Sequence, residues 1–177
     1  FGQLPGMGDE GGYAPQISKT EQVLFLLKNS IGQNESTIAI DAAASQFYKN
    51  GKYILEGKEF SRQELINFYK DLVVRFPIIL IEDPFSEDDW EGFKELRKEL
   101  PNIIIIGDDL TTTNIKRIKE AHSKQACNGV VIKPNQIGTV TETIEAVKLA
   151  KSYGWKTIVS HRSGETMDTF IADLAVG

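Results

Sequence analysis

Residues 78–109 read IILIEDPFSEDDWEGFKELRKELPNIIIIGDD: an apolar run, two acids, a polar window stopped by Pro101, and a second apolar run closed by Gly107-Asp108-Asp109. Neither apolar run alternates with polar residues, so each fits a strand buried on both faces, and the window between them fits a helix that crosses to the next parallel strand. The unit recurs. Runs at 37–40, 130–132 and 157–159 read as further strands. Between and around the strands, Leu24, Leu27 and Ile31 before Gly32 form one helical stripe. Leu65, Phe68, Tyr69 and Leu72 form another, and Met167, Phe170, Ile171 and Leu174 a third. Ser18 with Glu21, Ser61 with Glu64 and Thr139 with Glu142 fit capping boxes, in which a hydroxyl and a carboxylate satisfy orphan amides reciprocally. Pro77 and Pro101 stop helices. One stretch departs from the alternation: Asn50-Gly51 between Tyr48 and Tyr53 signals a two-residue hairpin, an insertion near residues 46–56.

The strands end at Asp41, Glu82, Asp108, Lys133 and His161, separated by 41, 26, 25 and 28 positions, with the hairpin in the longest interval. A closed eight-unit barrel allots roughly 31 residues to each strand–helix unit. The 177 residues then hold about six units, so the expected fold is α/β, a partial TIM-type (β/α) barrel. The competing architecture, a doubly wound nucleotide-binding sheet, lacks its glycine-rich strand-to-helix turn and its Gly-Lys-Ser/Thr loop.

Composition excludes several functions. The chain is 41% hydrophobic and 25% charged, as ordinary globular domains are. Its longest apolar runs, of four or five residues, are far short of a membrane span. Twenty basic against 25 acidic residues give a net charge of −5 with no basic stripe, which argues against nucleic acid as a primary partner. Cys127 is the lone cysteine, so no internal disulfide forms, and a reducing, cytoplasmic compartment is expected. The chain begins at Phe1 without the order of a signal peptide and reads as part of something longer.

Nearly every buried run terminates in an ionisable residue, and in a parallel barrel all those ends open on the face that carries active sites. The charges at those ends, Asp41, Glu82-Asp83, Asp108-Asp109, Lys133 and His161-Arg162, should therefore converge, and three carboxylates brought together raise at least one pKa unless a cation neutralises them. Oxygen-only ligands of that charge suit magnesium or manganese before zinc. Lys133 follows an apolar run and precedes Pro134, a partly dry setting beside the proposed metal that favours the neutral amine and proton abstraction. Ser160-His161-Arg162-Ser163-Gly164 offers an imidazole, a guanidinium fork and hydroxyls for phosphate or carboxylate. Gly8-Asp9-Glu10-Gly11-Gly12 places two acids among glycines that permit sharp turns. His122, in a charged helical window, has no assigned role.

Five motifs in order carry a resemblance: Gly8-Asp9-Glu10-Gly11-Gly12-Tyr13-Ala14-Pro15; Ile81-Glu82-Asp83-Pro84-Phe85 with Glu87-Asp88-Asp89-Trp90; Gly107-Asp108-Asp109-Leu110; Lys133-Pro134-Asn135-Gln136-Ile137-Gly138-Thr139; and Ser160-His161-Arg162-Ser163-Gly164-Glu165-Thr166. Through nearly all its length the chain resembles the enolase family (phosphopyruvate hydratases). The resemblance implies a lyase of glycolysis and gluconeogenesis that interconverts 2-phosphoglycerate and phosphoenolpyruvate with Mg2+, homo-oligomeric at full length. Asp41, Glu82 and Asp108 resemble the family's magnesium ligands, Lys133 its general base, and Glu10 the acid assisting hydroxide departure. Arg162 and Ser163 resemble its phosphate contacts, with His161 lining the same site. The family's N-terminal α+β domain, first barrel segment and last strand are expected to lie outside residues 1–177, and Gln46 stands where relatives commonly carry Glu. The alternative reading is a non-catalytic segment serving as an interaction or structural module.

Overall fold

The structure, a computed structural model, describes residues 6–8, 11–32 and 34–177. A short antiparallel pair, β1 (Gly6–Met7) and β2 (Tyr13–Ala14), precedes helix α1 (Thr20–Ile31) and strand β3 (Ile38–Asp41). A 3₁₀ turn (Ala44–Phe47) leads into β4 (Tyr48–Lys49), β5 (Lys52–Leu55) and β6 (Lys58–Phe60). Strands then alternate with helices: α2 (Arg62–Arg75), β7 (Ile78–Glu82), α3 (Trp90–Glu99), β8 (Ile104–Gly107), α4 (Ile115–Ser123), β9 (Gly129–Ile132). The chain continues through α5 (Pro134–Ile137), α6 (Val140–Ser152), β10 (Lys156–Val159) and α7 (Phe170–Val176).

Five of these strands form one parallel sheet in the order β10-β9-β8-β7-β3, so each strand lies beside its predecessor in the alternation, as in a curled portion of a (β/α) barrel. The described sheet has five strands where the length allotment gives about six units, because β4, β5 and β6 consume the longest interval as a separate antiparallel sheet. Both turns of that insertion are two-residue hairpins with positive φ at each central position. Asn50-Gly51, at 50° and 79°, is expected from sequence, whereas Glu56-Gly57, at 54° and 73°, is not.

Successive strand residues face opposite sides, which divides the core in two. Ile81, Ile105, Val130 and Ile132 join the large cluster packed under the helices. Leu80, Ile106 and Val131, with Ile104 against them, form a separate small cluster on the other, concave face. Continuing that alternation by two residues reaches Glu82, Asp108 and Lys133, so the strand pattern itself sends these three side chains toward the mouth above the concave cluster. Gly129 is required where β9 passes β8: a Cβ there would lie 2.8 Å from Ile106 Cγ1 and 3.1 Å from the Lys156 carbonyl.

The hairpin insertion is locked to the loop beyond β7. Tyr53, 1% exposed, donates its hydroxyl to Asp89 Oδ2 at 2.7 Å and accepts the Ser86 amide at 3.1 Å. Asp89 also caps α3 through the Gly92 amide and pairs with Arg62 at 2.6 Å. Of the three capping boxes, Ser61–Glu64 forms in full. Thr139 accepts the Glu142 amide, but the Glu142 carboxylate returns to the Thr139 hydroxyl. The Ser18–Glu21 box does not form: α1 starts after Lys19, Thr20 donates its amide to Glu56, and Glu21 pairs with Arg75. The stripe at 167–174 is likewise shortened, since α7 begins at Phe170 and Met167 is exposed outside it. Pro77 and Pro101 each stand just beyond a helix end, as expected.

Candidate active site

Asp41 and Glu82, the last residues of β3 and β7, are register partners. They open onto a cavity of about 410 Å³ lined also by Asp109, Lys133, Gln136, Ser160, His161, Arg162 and Ser163. Four of the strand ends singled out from sequence thus reach one space, and the fifth, Asp108, adjoins it through Lys133. Asp108 is buried, with Lys133 Nζ on its Oδ2 and Gln136 Nε2 directed at its Oδ1 from 3.5 Å. Its neighbour Asp109, half-buried, is the one that lines the cavity. Glu10 lies outside the described residues.

Among the described residues, the three carboxylates that approach within 4.8 Å of one another are Asp83, Asp108 and Asp109, so of the expected set Asp41, Glu82 and Asp108 only Asp108 belongs to that group. Asp83 and Asp109 are the members to which the family resemblance assigns no ligand role. The Asp83 backbone is left-handed, φ 40°, and its side chain accepts the amides of Asp108 at 3.0 Å and Asp109 at 2.8 Å. Both oxygens are engaged by backbone donors, so Asp83 shapes the turn that presents the next two acids.

Crowded carboxylates at a partly dry mouth hold protons tightly. Burial first, then the charges of Asp41, Asp108 and Asp83, push Glu82 up to about 8, against the opposing pull of Lys133. Asp83 is pushed up to about 7, chiefly by burial, although the two amides it accepts act the other way. Asp41 is exposed as a residue, yet desolvation by the surrounding chain and the nearby Asp108 and Asp109 raise it, opposed by the Ala43 amide and Lys133. Asp109 rises for the same leading reason. Cys127, far into the core, is pushed up to about 12 by burial and remains an inert thiol.

The cavity therefore combines an acidic side with a cationic one. Arg162 extends from the loop after β10, whose shape is set by Glu165: this carboxylate accepts the Arg162 amide at 3.0 Å and the Asn135 side chain at 2.8 Å, joining the loop to the turn after Lys133. An arrangement of clustered oxygen donors, a lysine at a partly desolvated strand end, and a guanidinium with hydroxyls suits a hard cation beside an anionic substrate. No helix among the described residues is long and apolar enough to cross a membrane.

The sequence matches the family described as "Enolase, C-terminal TIM barrel domain" over residues 2–177. It is 50% identical over 177 residues to the enolase of Aeropyrum pernix, covering 96% of this chain and 41% of that protein. With the enolase of Sulfurisphaera tokodaii it shares 49% over 182 residues, covering 100% and 44%, and with that of Methanocaldococcus jannaschii 49% over 174 residues, covering 96% and 41%. The chain thus spans less than half the length of these curated relatives. A profile match along nearly the whole chain, carried by a parallel sheet whose strand ends gather the acids and the lysine, makes this chain a member of the enolase family and of its C-terminal TIM barrel domain.

Proposed function

We propose that the chain carries the barrel portion of an enolase active site and that the protein it represents interconverts 2-phosphoglycerate and phosphoenolpyruvate in the cytoplasm, with magnesium. The observation that carries this reading is the convergence of Asp41, Glu82, Lys133, Arg162 and Ser163 on one cavity at the strand ends of the parallel sheet. An interaction or structural module gives no account of acids held in a partly dry mouth at such electrostatic cost.

The donor set fits magnesium. Asp41, Glu82 and Asp108 offer only carboxylate oxygens, and Glu82, pushed up to about 8 by burial and by the neighbouring acids, marks a negative charge that a divalent cation relieves. These three residues would hold the ion, and its charge, when bound, stabilises the negative charge that develops on the substrate carboxylate.

Lys133 is the general base. Its side chain, 18% exposed, starts at the end of β9, and the ε-amine takes the proton α to the substrate carboxylate. Arg162 and Ser163 hold the phosphate by charge-assisted hydrogen bonds, with His161 lining the same wall. Glu10 gives a proton to the departing hydroxide, which leaves as water while the carbon–carbon double bond forms. The base and the acid exchange roles in the reverse direction.

The test is phosphoenolpyruvate formation, followed by ultraviolet absorbance, in the intact source protein supplied with 2-phosphoglycerate. Turnover that rises with magnesium and vanishes in chelator is expected. A folded, intact protein with no turnover at saturating magnesium would overturn the reading.

A further inference from the structure

Two consecutive β-branched residues after β8 occupy left-handed backbone: Thr112 at φ 49° and Thr113 at φ 54°. Such conformations persist in β-branched residues only where the surroundings over-determine them, and they gather at functional sites. Here the surroundings are hydrogen bonds. Thr113 is fully buried, and its hydroxyl accepts the Lys133 amide at 2.9 Å while donating to Gln136 Oε1, also at 2.9 Å. Gln136 then directs Nε2 at Asp108 Oδ1 from 3.5 Å, and Lys133 Nζ meets Asp108 Oδ2. The four residues close a ring across the ends of β8 and β9: Thr113 to Lys133, Lys133 to Asp108, Asp108 to Gln136, and Gln136 back to Thr113.

We propose that Thr113 is the positioning residue for Lys133, its strained backbone aiming one buried hydroxyl so that the Lys133 main chain and the Gln136 amide are fixed together. A lysine has four flexible torsions, and its amine finds a substrate carbon only as reliably as its Cα is placed. The Thr113 hydroxyl sets that origin. Gln136, anchored through the same hydroxyl, is directed at one Asp108 oxygen and leaves the other to the Lys133 amine. Neither Thr113 nor Gln136 is a charged or metal-type residue, and the sequence assigns neither a role. This inference rests on the reading of Lys133 as the base.

The test compares Thr113→Val, which keeps the shape and β-branching but removes the hydroxyl, with Thr113→Ser, which restores it, in the intact source protein. Exchange of the 2-phosphoglycerate α-proton with deuterated solvent is followed by NMR, beside kcat, KM and amide hydrogen exchange at Lys133. Displacement of a reacting group by a fraction of an ångström costs on the order of 10- to 100-fold, so Thr113→Val is expected to lose about that much in α-proton exchange and kcat. KM should move far less, the Lys133 amide should exchange faster, and Thr113→Ser should recover most of both losses. Should Thr113→Val fail to fold, Gln136→Met opens the ring from its half-exposed side and is expected to lower α-proton exchange in the same direction. Wild-type protein without α-proton exchange would overturn the reading of the base itself. Wild-type exchange that survives intact in Thr113→Val, or in Gln136→Met when that is the folded variant, would overturn the positioning role alone, as would a Thr113→Ser variant no better than Thr113→Val.

Discussion

Replacing Glu82 by Gln should make the metal-free chain more stable and the metal-bound one less so. In the fold, burial and the charges of Asp41, Asp108 and Asp83 raise Glu82 from 4.5 to about 8. A carboxyl raised in the folded state binds a proton there that the unfolded chain has already released, so between those two values stability falls as pH rises. Below about 4.5 both states are protonated and the residue contributes nothing to the difference; above about 8 its full cost is present. At about 1.4 kcal/mol per pH unit the displacement amounts to about 5 kcal/mol. Glu82 is half-buried, and solvent screening at its open side reduces this to about 1–2 kcal/mol. For a chain of this size that corresponds to roughly 5 °C in melting temperature. In chelator, parent and Glu82→Gln should melt together near pH 4, and the variant should melt higher by about that amount at pH 9. Magnesium at a hundred times its dissociation constant adds about 2.7 kcal/mol to a protein that binds it, so at pH 9 it should raise the parent past the variant. A variant that melts lower than the parent at pH 9 in chelator, or a gap that does not change with pH, would refute the electrostatic argument.

Three further outcomes follow from the same geometry. Tyr53→Phe leaves the Ser86 amide unpaired in a buried setting and removes a donor from Asp89, so urea denaturation should show a loss of about 1–3 kcal/mol with the fold intact. Parallel magnesium titrations of Asp108→Asn and Asp109→Asn should show the larger loss in Asp108→Asn; wild-type affinity in that variant would pass the ligand role to Asp109, which lines the cavity. The 177-residue chain by itself presents the outer strands β3 and β10 of an open sheet, with Ile158 and Ala39 exposed on the latter and the former, and should self-associate on size-exclusion chromatography without measurable dehydratase turnover. A monodisperse, fully active monomer would contradict it.

Much of the fold was legible because buried parallel strands announce themselves. The runs at 78–81 and 103–106 carry no polar alternation, and the structure places them as β7 and β8 with shifts of one residue at their ends. Turn chemistry was legible where the dipeptide is distinctive: Asn50-Gly51 reads as a hairpin, while Glu56-Gly57 needs a positive φ at a glutamate, which sequence preference does not favour. Capping failed at Ser18 because Glu56, 36 positions beyond Thr20, takes the Thr20 amide, and no local pattern reports a distant carboxylate. At the site, charged residues at strand ends were visible as a series. The roles of Asp83, Thr113 and Gln136 were not, since they arise from backbone amides and a left-handed turn that exist only after β7, β8 and β9 are side by side.

In the proposed mechanism Lys133 removes the α-proton while a different residue, Glu10, assists hydroxide departure. The most direct measurement is NMR of 2-phosphoglycerate in deuterated buffer with magnesium, comparing the intact wild-type protein, Lys133→Ala and Glu10→Gln. Lys133→Ala is expected to abolish incorporation of deuterium at the α-carbon, whereas Glu10→Gln should keep incorporation and lose phosphoenolpyruvate formation. Deuterium incorporation at the wild-type rate in Lys133→Ala would assign the base to another residue.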